Sequence, residues 1–254
     1  MEEKILKRLF EHATIVDNRL EGGKRLFTGL VGSQNYGLST EKSDVDSISV
    51  IVPSFKNLIL QKERTSITVY ADRGEFAQIK DFRDYCHLIM KGSMNILEAL
   101  YSPYVDVPEE FADYYEKLID MREDIAYANP VAVVNSYNGQ IVSDLRHAFN
   151  EVTDCFNSKK IAEAERLLIQ LISYVEGMSF EEILDVSDYR NFILEIKTGE
   201  YDFNQAIRYR DSIVAESDKA MVRFQQNYHG DYKMNSMVKN ELDNLILQIF
   251  RECY

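Results

Sequence analysis

Cysteine, proline and glycine are all scarce, with 3, 4 and 11 residues in a chain of 254. That poverty excludes a disulfide-stapled scaffold, a collagen-like repeat and a disordered low-complexity chain. Cys86, Cys155 and Cys253 are odd in number, far apart and without CxxC spacing, which points to free thiols in a reducing cytoplasm. Basic residues are also short, 29 Lys and Arg against 42 Asp and Glu, for a net charge of −13. A broad nucleic-acid surface is disfavoured, since phosphate affinity comes from clustered Lys and Arg. One strip runs the other way: residues 56–91 hold Lys56, Lys62, Arg64, Arg73, Lys80, Arg83 and Lys91 against five acids. No apolar run approaches the roughly 20 residues a membrane span needs. The opening residues lack the basic-then-apolar order of a signal peptide, so a cytoplasmic protein is expected. His12, His87, His147 and His229 stand isolated from one another and from cysteine, which leaves zinc little support. Neither a G-x-x-x-x-G-K-[ST] phosphate loop nor a G-x-S-x-G elbow occurs.

What is present is an ordinary globular balance, 45% hydrophobic and 28% charged, in a length that suits one large domain or two modest ones. Ile5, Leu6, Leu9, Phe10 and Ala13 recur at helical spacing over residues 2–20. Short strands are expected at Arg25–Val31, Val45–Val52 (stopped by Pro53), Ser66–Ala71 and Glu75–Lys80, the last after a turn at Asp72-Arg73-Gly74. The period then changes. Phe82, Tyr85, Cys86, Ile89 and Met90 predict a helix capped by Asp81, and a second helix is expected from Met94 to Tyr101. Beyond Pro130 the pattern is almost wholly helical. Ile161, Ala164, Leu168, Leu171, Ile172 and Val175 form one stripe, and Ser179 to Glu182 reads as a capping box. Two long helices follow, over Phe203–Gln226 and Met237–Arg251. The expected fold is α+β: a small mixed β-sheet core with flanking helices over residues 1–128, then an all-α domain over 129–254.

The chemistry lies in Gly29–Val52. Gly32-Ser33, leaving a strand, makes a tight turn where backbone N–H groups and a hydroxyl can approach a phosphate. Asp44 and Asp46 open the next strand, and residues i and i+2 of a strand share a face. Two carboxylates aimed at one spot require a cation, and hard oxygen ligands facing a phosphate turn suit Mg²⁺ carrying a nucleoside triphosphate.

Val31-Gly32-Ser33 followed by Asp44-Val45-Asp46 resembles the signature of the DNA polymerase β-like nucleotidyltransferase superfamily: a hydrophobic residue, Gly, Gly or Ser, a short spacer, then two acids around a hydrophobic residue. The fuller run GSQNYGLSTEKSDVDS, with a strand ending in Val52-Pro53, is similar to a predicted-nucleotidyltransferase subgroup of bacteria and phages. IKDFRDYCHLIMKGSMNILEALYSP and NSKKIAEAERLLIQLISYVEG resemble later segments of that subgroup, so the likeness spans Gly29 to Gly199. It implies a mixed-sheet core with a helical domain and a reaction in which an acceptor hydroxyl attacks the α-phosphorus of an NTP. Pyrophosphate leaves, and two Mg²⁺ (or Mn²⁺) ions are held by three acids. Carried over, Gly32 and Ser33 hold the β/γ phosphates, while Asp44 and Asp46 bind metal. Glu75 is the favoured third acid, with Asp81 as its alternative. Ser47 departs from the usual hydrophobic residue after the second acid. Lys159 and Arg166, seven apart on one helix, share a face; they either reach a triphosphate or are surface cations. RNA 3′ ends, protein hydroxyls and small molecules are all candidate acceptors. RNA is favoured, with residues 56–91 as its strip. The alternative is a non-catalytic nucleotide- or partner-binding module that keeps the fold, and the third acid is what discriminates the two.

Overall fold

The computed structural model describes residues 2–40, 43–60, 66–71, 74–150, 152–228 and 235–254. In chain order the elements are α1 (Glu2–Asp17), β1 (Lys24–Val31), β2 (Asp46–Val52), α2 (Phe55–Ile59), β3 (Ser66–Tyr70), β4 (Phe76–Asp81), α3 (Phe82–Met90), α4 (Met94–Leu97), β5 (Val105–Asp106), α5 (Ala112–Asp120) and α6 (Arg122–Ala126). They are followed by α7 (Pro130–Ala148), β6 (Phe149–Asn150), β7 (Cys155–Phe156), α8 (Ser158–Val175), α9 (Phe180–Leu184), α10 (Arg190–Thr198), α11 (Phe203–Asn227) and α12 (Ser236–Cys253). The chain groups into two compact units: Met1–Asn35 with Ser39–Asn129 and Lys233–Tyr254, and Tyr36–Leu38 with Pro130–Tyr232. Neither unit is one continuous stretch of chain, unlike the expected spans 1–128 and 129–254. The final helix α12 groups with the first unit and the triplet Tyr36–Leu38 with the second.

The first unit is built on a mixed five-stranded sheet in the order β3-β4-β2-β1-β5. β1 runs antiparallel to β2, β2 parallel to β4, and β3 antiparallel to β4. Strand alternation sorts the side chains. Val45, Ile51, Ala77 and Ile79 turn to the face that α1 covers, where they meet Ile5, Leu9 and Val16 in two buried clusters. Phe27 and its partner Val50 turn to the other face, where Tyr85 of α3 meets the Phe27 ring edge-on at 5.5 Å. Asp81 caps α3 as expected, accepting the Arg83 N–H at 2.9 Å. The expected helix from Met94 to Tyr101 is shorter: α4 gives way to a 3₁₀ turn at Glu98–Leu100.

A polar seam crosses the α1 face. His12 Nδ1 is 2.9 Å from Ser47 Oγ, and Thr28 Oγ1 shares a hydrogen bond with Ser49 Oγ at 2.7 Å. All four residues are buried. Ser47 therefore departs from the hydrophobic pattern because a histidine waits across from it.

The second unit is helical apart from the β6–β7 pair. α8 packs against α7, α10 and α11 through Ile161, Ala164, Leu168 and Leu171. Ser179 and Glu182 form the expected capping box at α9.

Burial, the largest cause, holds His12 below its ordinary value against the pull of the Glu75 carboxylate. The unfolded chain thus takes the proton more readily than the fold. The His12 contribution is whole above about pH 6.5 and is lost as pH falls below it. Glu165 on α8 has the opposite sign: burial pushes it up to about 7, so its contribution is present at acid pH and lost as pH rises through that value. Urea midpoints compared between about pH 5 and pH 7 should therefore diverge. Acidification should cost His12→Asn less than wild type and Glu165→Gln more.

Candidate functional site

β1 ends at Val31, and the chain turns at Gly32 with φ +93°, a conformation that favours glycine. Nothing lies within 4 Å of where a Gly32 Cβ would stand, so backbone conformation and not crowding demands glycine there. The turn is stitched from three sides. The Asn35 N–H donates to the Gly32 carbonyl at 2.9 Å, and Asn35 Nδ2 donates to the Leu30 carbonyl at 2.8 Å. Ser102 Oγ donates to Asn35 Oδ1 at 2.9 Å, and the Gly32 N–H donates to Glu98 Oε1 at 2.6 Å. Glu98 and Ser102 belong to a segment seated against β1, where a Cβ on Gly29 would come within 3.0 Å of the Ala99 carbonyl oxygen. Sequence reasoning missed both residues. The available signal was a lone acid inside the apolar run Ile96–Leu100.

The antiparallel register pairs Val31 with Asp46. Gly32-Ser33 therefore leaves one strand beside the point where Asp44–Asp46 enters its neighbour. Val45 and Ser47 face α1, so Asp46 points to the opposite face; Asp44 lies two residues ahead of it, before β2 begins and not within the strand as the sequence suggests. Asp44 is exposed; Asp46 is half-buried, and its Oδ1 accepts the Phe76 N–H at 3.0 Å.

Neither candidate for the third acid joins them. In the in-register parallel pair, Ser47 lies beside Ala77, which puts Glu75 on the α1 face with them. There Arg8 Nε donates to Glu75 Oε2 at 2.7 Å, Arg8 Nη2 reinforces the pair, and His12 Nε2 lies 3.6 Å away. Asp81 pairs with Ile51, five residues further along β2 than Asp46 and so roughly 16 Å away, and is occupied by Arg83. Among the described residues no group of three or more His, Cys, Asp or Glu is placed to hold a metal ion. The donor set that remains, two hard carboxylates at one strand end, still suits Mg²⁺. That ion is commonly held by one or two carboxylates, with substrate phosphates and water filling its other positions.

In the second unit, Lys159 is exposed on α8. The Arg166 guanidinium lies over the Tyr36 ring at 4.2 Å and donates to Gln170 Oε1 at 2.8 Å. Arg190 donates to the Gly37 carbonyl, and Gly37 has φ +70° with Ser187 Cβ 3.0 Å from where its own Cβ would stand. Arg166 and Arg190 thus fasten the aromatic and glycine steps of the motif within this unit. Of the basic strip, Lys62, Arg64 and Arg73 lie outside the described residues, as does Asp72 of the expected turn. Lys80 donates to Ser66 Oγ at 2.7 Å, and Arg83 is paired with Asp81.

Comparison with known families places the chain among the polymerase β-like nucleotidyltransferases. It belongs to the RNA repair pathway DNA polymerase beta family, RlaP, whose family model matches residues 1–248. A search of curated protein sequences found no match. Among solved structures, a nucleotidyltransferase-like protein from Exiguobacterium sibiricum 255-15 is similar over 94% of this chain and 90% of that one, at 11% identity and a TM-score of 0.37. No described helix is long and apolar enough to cross a membrane.

Two substitutions separate ligand from scaffold. With a non-transferable NTP present, Mn²⁺ affinity measured by calorimetry should fall at least about tenfold in Asp46→Asn. In Glu75→Gln it should stay within about threefold while the urea midpoint drops, because that change removes the buried carboxylate from the Arg8–Glu75 ion pair and leaves Arg8 with Glu11. An equal loss of metal affinity in both variants would restore Glu75 as a ligand. In the second unit, Gly37→Ala should destabilise by about 1–2 kcal/mol or more from the left-handed backbone alone, read as a lower urea midpoint.

Proposed function

We propose that this chain is a metal-dependent nucleotidyltransferase that moves a nucleoside monophosphate from an NTP to an acceptor hydroxyl and releases pyrophosphate. The observation that carries the reading is the Val31–Asp46 register, which brings the end of β1 at the Gly-Ser turn beside Asp46, with Asp44 two residues ahead of it in the chain. Gly32 supplies the backbone geometry of the turn. Ser33 supplies donors: among the described residues its hydroxyl and its N–H have no hydrogen-bond partner, and the same holds for the Gln34 N–H. Such a cluster of donors suits phosphate oxygens. Asp44 and Asp46 would hold Mg²⁺ or Mn²⁺, and the Phe76 N–H fixes the rotamer of Asp46. When bound, the cation neutralises the triphosphate and acts as a Lewis acid. In the transfer a bond forms between the acceptor oxygen and the α-phosphorus. The bond from that phosphorus to the bridging oxygen breaks, and the acceptor proton passes to solvent. The protein's contribution is position and charge. The family's description, an RNA repair pathway, favours an RNA 3′ end as acceptor.

A second reading, a nucleotide-binding module without transfer, is favoured by the orientation of Glu75 and Asp81 away from the pair. One incubation series separates the two: each α-radiolabelled NTP with Mg²⁺ or Mn²⁺, total RNA and the protein. Wild type should label RNA, and an Asp44→Asn/Asp46→Asn double variant should lose roughly a hundredfold or more. Metal-dependent NTP binding without transfer to any acceptor would establish the module instead.

A further inference from the structure

The polar side chain that engages the nucleotide turn from behind is an acid. Glu98 is 2% exposed, sits in the 3₁₀ turn Glu98–Leu100, and is separated from Gly32 by 66 residues. A carboxylate removed from water requires compensation, and a backbone N–H given to it makes a stronger bond than one given to a neutral acceptor. That N–H belongs to Gly32, the first residue of the turn. The two peptides that follow differ: the N–H groups of Ser33 and Gln34 and the Ser33 hydroxyl have no partner among the described residues. Gln34 Oε1 is buried and likewise has no partner there. One amide of the turn is therefore committed inward while the next two are free.

We propose that Glu98 is a positioning residue of the nucleotide turn. It takes the Gly32 N–H inward, so that phosphate is met by Ser33 and Gln34 and not by Gly32. The segment that carries Glu98 is itself fixed, with Ala99 against Gly29 and Ser102 on Asn35, so the carboxylate is a rigid stop for the peptide it holds. This refines the expectation that Gly32 and Ser33 together hold the β/γ phosphates: Gly32 contributes its backbone conformation, and its N–H is taken by Glu98. The acceptor oxygen is what the turn requires, and a glutamine at position 98 offers one at the same reach.

The inference rests on the nucleotidyl-transfer reading, and the test separates the two. Binding of the four α,β-methylene NTPs with Mg²⁺ is measured by calorimetry for wild type, Glu98→Gln, Glu98→Ala and Glu98→Asp. Amide hydrogen exchange at Gly32 is followed in the same proteins. Glu98→Gln should bind within threefold of wild type and keep Gly32 protected. Glu98→Ala, and Glu98→Asp with its shorter reach, should bind at least tenfold more weakly and exchange Gly32 at least tenfold faster. If Glu98→Ala does not fold, the Gln and Asp pair carries the comparison. Equal binding in all variants overturns the proposal, as does a Gln variant no better than Asp. A wild type that binds no NTP overturns the nucleotidyl-transfer reading instead, and the hold of Glu98 on Gly32 is then judged on the exchange rates alone.

Discussion

The antiparallel register of β1 against β2, with Val31 opposite Asp46, is the constraint from which the candidate site follows. A one-residue slip of a strand pair turns every side chain to the other face. Here such a slip would carry Val45 and Ile51 out of the clusters under α1 and turn Asp46 toward them, so those apolar clusters hold the register in place. Asp46 and the Gly-Ser turn come together as a consequence, although twelve residues of sequence lie between Ser33 and the start of β2.

The local parts of this arrangement were legible in the sequence. Gly32-Ser33 and Asp44-x-Asp46 are short-range patterns; the turn at Gly32 and the strand that opens at Asp46 are both present, while Asp44 lies just ahead of that strand. The cap at Asp81 and the Ser179–Glu182 box are equally local, and the structure contains both. Glu75 shows where such reasoning stops. Its alternation with Ala77 and Ile79 was readable, and those neighbours are indeed buried. Which of the two sheet faces they occupy depends on the parallel pairing of β4 with β2, and no period within one strand encodes that. The buried face proved to be the one covered by α1, where Arg8 meets Glu75. Ser47 stands out from the local pattern for the same reason, since its partner His12 lies 35 residues away in the chain. The short strands β5, β6 and β7, two residues each, carry too little pattern to read.

The α1 face is unusual for a helix-covered sheet because it mixes aliphatic packing with a buried polar seam of His12, Ser47, Thr28 and Ser49. Directional bonds restrict sliding in a way that apolar contacts do not. The seam touches β2 immediately after Asp46, and the Arg8–Glu75 pair anchors β4 immediately before the Phe76 N–H that Asp46 accepts. Asp46 is thus held between two fixed points on neighbouring strands.

The three long-range stitches of the site share one property. Gly32 to Glu98 spans 66 residues, Asn35 to Ser102 spans 67, and Arg8 to Glu75 spans 67. Contacts of such separation close late, because the loop entropy must be met before they repay it. As the chain leaves the ribosome, the Gly-Ser turn therefore emerges well before the acid that shapes it. The bonds that shape the turn wait for chain some 66 residues further on.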